Sequence, residues 1–80
     1  MDRSLARILV SVGFRSSREL NDLLHLLKAQ CGDDEYQRLK APIASAIAEV
    51  TAATFEPAFA AHPDLRREVD DQINKCGRFD

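Results

Sequence analysis

The residues able to carry chemistry in this chain are two cysteines, two histidines and two short runs of carboxylates. Cys31 and Cys76 each stand directly before a glycine, on the apolar side of a predicted helix. If those glycines end their helices, both thiols lie at helix carboxyl termini, where the helix dipole disfavours the thiolate. We therefore interpret the cysteines as small buried hydrophobic residues. The alternative is a redox or metal-responsive protein that uses these two cysteines.

The histidines and carboxylates do not have the spacing of a metal site or a catalytic site. His25 is predicted on the exposed side of its helix, and His62 precedes a helix-starting proline. Neither has metal-ligand spacing to a cysteine or a carboxylate. The acidic residues 33–35 and 70–71 are predicted at a helix start and on a solvated face, whereas acid–base catalysis needs a carboxyl group in a cleft. We therefore predict no catalytic residue, no metal and no cofactor, and a protein that is not an enzyme.

Length and composition indicate a single helical domain over residues 1–80. The chain has 80 residues, of which 45% are hydrophobic and 30% charged, with only three glycines and three prolines. Two cysteines are compatible with a reducing compartment, so we expect a cytoplasmic protein. The apolar run near the N-terminus is broken by Ser11 and lacks a cleavage site typical of signal peptides. No run reaches the roughly 20 apolar residues of a membrane span, so we expect no membrane association.

Two short helices are predicted in the first 32 residues. Apolar residues spaced by three and four positions predict a first helix from about Asp2 or Ser4 to Val12, with Gly13 as a left-handed stop. The pair Ser16 and Glu19 has the spacing of a capping box and predicts a second helix, which Gly32 ends. The apolar sides of the two helices are expected to form the core, and they comprise Leu5, Ile8, Leu9, Val12, Leu20, Leu23, Leu24, Leu27 and Cys31.

A long third helix is predicted from Asp33 or Asp34 to about Ala61. Its acidic start suits the positive end of the helix dipole. A proline inside a helix removes a backbone donor and crowds the preceding turn. We therefore expect a bend near Pro42, and a bend or a break near Pro57 with Thr54 as a new N-cap.

A last helix is predicted from Pro63 to Gly77, since proline is favoured at the first helical position and glycine just past the end. The expected fold is thus all-α and bundle-like, a single domain of four helices. Two of them are short and N-terminal, one is long, central and bent, and one is C-terminal.

The long helix is apolar on two faces, and this predicts a partner. One face suits the N-terminal helices. The other carries alanines at every fourth position, which would let a second helix approach closely. That helix is either the last helix of the same chain or a helix of another chain. We therefore predict a non-enzymatic helical interaction module that forms a homodimer. Its partner is a second copy of the chain, another protein, or both. The candidate interface comprises Ala44, Ala48, Ala52, Phe55 and Phe59.

A small nucleic-acid-binding regulator is the other alternative. Residues 1–32 carry five basic and three acidic side chains, whereas the rest of the chain carries six basic and ten acidic ones. Two short helices joined by a glycine-containing turn are compatible with a helix-turn-helix. The second helix, however, has mostly leucines where a recognition helix needs an exposed polar or basic face. We therefore expect no nucleic-acid partner.

Overall fold

The computed structural model describes residues 1–77 and 79, and this part of the chain forms three α-helices. Helix α1 spans Arg3–Gln30, α2 spans Asp33–Ala61 and α3 spans Leu65–Cys76. The short connection between α1 and α2 makes the two long helices an antiparallel hairpin, and α3 packs against it. The all-α class is confirmed, whereas the predicted count of four helices is wrong.

The two predicted N-terminal helices are one, because Gly13 serves close packing and not helix termination. Gly13 is buried inside α1 and faces α2. A Cβ atom at this position would lie 2.7 Å from the Cβ of Thr54 and 3.0 Å from a ring carbon of Phe55. Glycine costs about 1 kcal/mol relative to alanine in a helix, but here it allows α2 to approach. Ser16 and Glu19 lie inside α1, so the predicted capping box is also wrong.

The ends of the hairpin follow the local signals more closely. The Asp2 carboxylate accepts a hydrogen bond of 2.8 Å from the Leu5 amide and caps α1. The predicted helix end at Gly32 lies within two residues of the observed end at Gln30. The predicted start of the next helix at Asp33 is confirmed.

Helix α2 continues through both of its prolines, so the chain does not break near Pro57. Thr54 is not an N-cap. Its hydroxyl donates a 2.6 Å hydrogen bond to the carbonyl of Val50, one turn earlier in the same helix. Thr51 donates in the same way to the carbonyl of Ile47, at 3.1 Å. These hydroxyls satisfy helix carbonyls from within the helix, which is a common alternative to capping for threonine.

A short turn leads into α3, and a left-handed glycine ends it. The Leu65 amide donates to the carbonyl of His62 at 3.0 Å, so Pro63 belongs to the turn and does not start the helix. Gly77 has φ of 75° and its amide donates to the carbonyl of Ile73 at 2.7 Å. The predicted end of the last helix is therefore confirmed.

The hydrophobic core lies at one end of the hairpin. Of the described residues, the buried hydrophobic ones are Ala6, Val10, Ala58, Leu65, Val69 and Phe79. We call residues 1–13, 54–77 and 79 the three-helix end, because α3 covers the hairpin there. Residues 14–53 form the two-helix end. No residue of the two-helix end is buried.

The molecule is elongated. Its extents are 45 × 24 × 14 Å, and its radius of gyration is 14.7 Å, against about 12 Å for a compact chain of this length.

None of the described helices combines the length and the apolar character that crossing a membrane requires.

Candidate interaction surfaces

Ion pairs hold α3 on one side of the hairpin. The Arg3 guanidinium donates to the carboxylates of Asp64 and Glu68, each at 2.7 Å. Arg7, one turn later in α1, also pairs with Glu68. These side chains are about one-third or more exposed, so each pair contributes at most about 1 kcal/mol. Their main consequence is to orient α3 on α1, since α3 covers the side of α1 that bears Arg3 and Arg7.

Phe79 completes the core on this side. Its ring is fully buried, and the Arg7 guanidinium lies 5.4 Å from the ring centre. The Ser11 hydroxyl donates to the Phe79 carbonyl at 3.4 Å. Full burial of a phenylalanine contributes about 2–3 kcal/mol of transfer free energy. Two basic side chains of α1, Arg3 and Arg7, are thus engaged within the molecule.

The predicted interface on α2 is divided by α3. At its C-terminal end, Phe55 and Phe59 pack against the core with their ring centres 5.9 Å apart. The guanidinium of Arg66 in α3 lies 5.0 Å from the ring centre of Phe59. Toward the start of α2, Ala44, Ala48 and Ala52 are exposed. The alanines therefore form an open surface, whereas both phenylalanines pack against the core and Phe59 contacts α3.

The outward side of α1 differs from the sequence-based prediction. Ala6, Val10 and Gly13 are the buried residues of α1. Of the large residues predicted on its core side, Leu9 packs against the core, whereas the other three are exposed, by 47% at Leu5, 58% at Ile8 and 43% at Val12. Close packing explains the exchange, because small residues let α2 and α3 approach this part of α1.

The same outward side continues along the two-helix end. Leu23 is 38% exposed and Leu26 is 54% exposed. Leu26 lies off the predicted core stripe, so its exposure agrees with its position, whereas Leu23 was expected in the core. We call Leu5, Ile8, Val12, Leu23 and Leu26 the outer stripe of α1. The periodic spacing of large apolar residues was the signal for this surface, but spacing does not say whether such a face packs inside or outside the monomer.

One polar atom inside the hairpin has no partner. The Ser17 hydroxyl is shielded from solvent and makes no hydrogen bond to the described residues. An orphaned buried hydroxyl destabilises a fold by about 1–3 kcal/mol. It lies in the two-helix end, where packing is weakest.

The cysteines are neither paired nor both buried. Cys31 is half-buried at the connection between α1 and α2, and Cys76 is exposed at the end of α3. The expectation that Cys76 is buried is therefore wrong. A hydrogen bond with the Glu35 side chain, together with desolvation, raises the pKa of the Cys31 thiol above its ordinary value. A raised pKa lowers the thiolate population at neutral pH, so Cys31 lacks the activation of a reactive cysteine.

The other titratable side chains are dispersed. Within residues 1–77 and 79, no three or more histidine, cysteine or carboxylate side chains come together as a metal site would require. His25 is exposed, and the ring of His62 lies 2.9 Å from the Met1 carbonyl. The acidic residues 33–35 and 70–71 are exposed. The continuous α1 also removes the turn on which a helix-turn-helix interpretation depended.

Comparison with known proteins does not assign the chain to a family. No model of a known protein family matches it, and no similar protein was found among curated proteins or solved structures.

Proposed function

We propose that this protein is a non-enzymatic helical interaction module that self-associates as a homodimer. The observation that carries the proposal is the exposure of seven large hydrophobic residues on an 80-residue chain. Five of them lie on α1, namely Leu5, Ile8, Val12, Leu23 and Leu26. Leu39 lies on α2, and Met1 precedes α1. Several exposed large hydrophobic residues on one side of a helix are typical of a protein interface.

The total surface supports the same conclusion. The chain exposes 5549 Å², whereas a compact monomer of 8.9 kDa exposes about 4,800 Å². The excess agrees with the elongated shape and with the absence of a buried residue in the two-helix end. Burying apolar surface contributes about 25 cal/mol per Å². A partner that covers the two-helix end would supply the core that α3 does not provide there.

Molar mass in solution tests the proposal. Light scattering after size exclusion, at protein concentrations from about 1 to several hundred micromolar, should give twice the chain mass of 8.9 kDa. A mass of one chain over the whole range would overturn self-association.

Two adjacent positions offer a matched pair of variants. Leu26→Glu places a charge on the outer stripe, whereas His25→Glu places the same charge about 100° around the helix, at a position that is also exposed. Leu26→Glu should shift the protein to monomer, because an unpaired buried charge is strongly unfavourable. His25→Glu should remain a dimer. Loss of the dimer in both variants, or in neither, would show that the outer stripe is not its interface.

A further inference from the structure

The outer stripe of α1 lies away from both other helices. At about 100° per residue, its five side chains fall within roughly 60° of one another. Arg3 and Arg7, which hold α3, point about 130° or more from the middle of that arc. Gly13, which faces α2, points about 110° from it. Within the described part of the chain, neither α2 nor α3 covers this stripe, so a helix that covers it comes from another copy or another protein.

Four of the five residues of the stripe match in both directions along the chain, and the fifth, Val12, is matched by Glu19. Counted outward from the midpoint between Arg15 and Ser16, Ile8 and Leu23 are equally distant. Leu5 and Leu26 are likewise equally distant. A second copy of α1 that runs antiparallel and is centred on this midpoint would therefore place leucine or isoleucine against leucine at both ends. Such self-matching is what a two-fold symmetric interface requires.

The charges near the midpoint favour the antiparallel arrangement over the parallel one. In a parallel pair in register, Glu19 of each copy would face Glu19 of the other, and like charges repel. In the antiparallel pair, Glu19 of one copy lies at the level of Val12 of the other. It is then about 4.5 Å along the axis from the partner copy's Arg15. In order along the axis the charges are Glu19, the partner's Arg15, Arg15 and the partner's Glu19. The two arginines are close to each other in both arrangements, but only the antiparallel one brings a glutamate to each arginine.

Helix α2 presents an uncharged surface on the same side. Gly13 of α1 lies against Thr54 of α2, so the midpoint of the stripe is level with about Thr51 and Ala52. Val50 and Ala53 are adjacent to this level, on the side of α2 away from α3 by the helical rotation. The corresponding helices of two hairpins would then face each other. The 28 residues of α1 extend about 42 Å, which is the length over which two copies can pair.

We propose that two copies of this chain pair through the outer stripe of α1, antiparallel, about a two-fold axis beside Arg15 and Ser16. Arg15 of each copy then lies next to Glu19 of the other, and the two hairpins form a four-helix bundle with an α3 on each outer side. This inference rests on the proposed self-association and specifies its surface, its direction and its register.

Disulfide cross-linking tests the direction and the register. In a background with Cys31→Ser and Cys76→Ser, a single Ser16→Cys substitution places two thiols beside the two-fold axis. With helix axes about 8–10 Å apart, the Cα atoms of these residues come within the approximately 7 Å that a disulfide allows. Mild oxidation should therefore convert Ser16→Cys to a covalent dimer.

Leu5→Cys is the matched control. In the antiparallel pair its two thiols are about 31 Å apart along the axis, so the variant alone should not cross-link. Leu5→Cys mixed with Leu26→Cys should form the mixed disulfide dimer. Each variant is first measured without oxidant by light scattering and circular dichroism, so that only folded, associating protein is compared.

The outcomes separate this inference from the proposed function. A monomeric mass for the unsubstituted chain overturns both. A dimeric mass with cross-linking of Leu5→Cys oxidised by itself keeps self-association and overturns the antiparallel register in favour of a parallel one, in which Ser16→Cys also lies beside its counterpart. A dimeric mass with no cross-linking at any of the three positions overturns the outer stripe as the interface and points to the open surface of Ala44, Ala48 and Ala52.

Discussion

The two ends of the hairpin are built from the same two helices and are packed very differently. At the three-helix end, α3 and Phe79 close over α1 and α2, and every buried hydrophobic residue among the described ones lies there. At the two-helix end, the leucines and isoleucines of α1 and α2 all stay at least partly exposed. Two packed helices alone leave the side chains between them partly exposed to solvent. The position of a third helix therefore determines where a buried core forms.

Helix length explains why α3 closes only one end. Twelve residues of α-helix extend about 18 Å, whereas the 29 residues of α2 extend about 43 Å. Helix α3 therefore reaches less than half of the hairpin. The remaining half retains the apolar composition of a bundle without the helices that would complete one.

The largest expected effect is the loss of a core residue from the three-helix end. Leu65→Ala should lower the free energy of unfolding by about 2–5 kcal/mol, because Leu65 is fully buried and its removal leaves a cavity. Urea denaturation followed by circular dichroism measures the change. Leu24→Ala, at a half-buried position of the two-helix end, should cost about 1–2 kcal/mol. Equal losses at the two positions would contradict the contrast between the ends.

The close approach at the boundary between the two ends should be nearly as sensitive. Gly13→Ala should destabilise the fold by about 1–3 kcal/mol, because the added Cβ meets Thr54 and Phe55. Gly32→Ala is the control, since nothing lies within 4 Å of its added Cβ and its φ of −68° suits alanine. That variant should change the free energy of unfolding by less than about 1 kcal/mol, because the lower entropy of the unfolded chain opposes the loss of a favourable N-cap residue. Stabilisation by Gly13→Ala would show that α2 does not approach as described.

Ser17→Ala should stabilise the two-helix end. It removes a shielded hydroxyl that has no partner and adds a better helix former. Ser45→Ala, on the exposed side of α2, adds only the helix propensity of about 0.5 kcal/mol. We expect the melting temperature of Ser17→Ala to exceed that of Ser45→Ala by a margin equivalent to about 1 kcal/mol. A lower melting temperature for Ser17→Ala would mean that the hydroxyl has a bound water or another partner.

The smallest effect is expected for the ion pairs that orient α3. Glu68→Gln should lower the free energy of unfolding by at most about 1 kcal/mol, because its arginine partners are partly solvated. The difference from the unsubstituted chain should shrink in about 1 M salt, where charges are screened within about 3 Å. Asp70→Asn, at an exposed residue of α3 without an ion pair to the described residues, should have no measurable effect.

Local signals predicted the ends of elements well where the deciding interaction is local. The acidic start at Asp33, the end of α2 at Ala61 and the left-handed Gly77 are confirmed, because each depends on a few adjacent residues. Gly13 and the pair Ser16 and Glu19 carried equally clear local signals, but the helix end and the helix start that they predicted are both wrong. At Gly13 the packing of α2 forty residues later outweighs the local preference for a helix stop.

The surfaces were less predictable than the elements. The spacing of Leu5, Ile8 and Val12 correctly showed an apolar side of α1, but not that this side points outward. Which side is covered depends on the position of α3, and that position follows from distant contacts such as those of Arg3 with Asp64 and Glu68. The alanine surface on α2 was located by the same periodicity, and only the fold shows that α3 occupies its phenylalanine end.

The sequence by itself determined that this chain is helical, where its second long helix begins and ends, and that it carries more apolar faces than its own helices cover. These properties follow from periodicity, capping and composition, which act over a few residues. Only the tertiary structure decided that α1 is continuous through Gly13, that the core lies at one end, and that Cys76 and the outer stripe of α1 are exposed. Those outcomes depend on contacts between side chains that are far apart in the sequence, and the periodicity of the sequence does not specify such contacts.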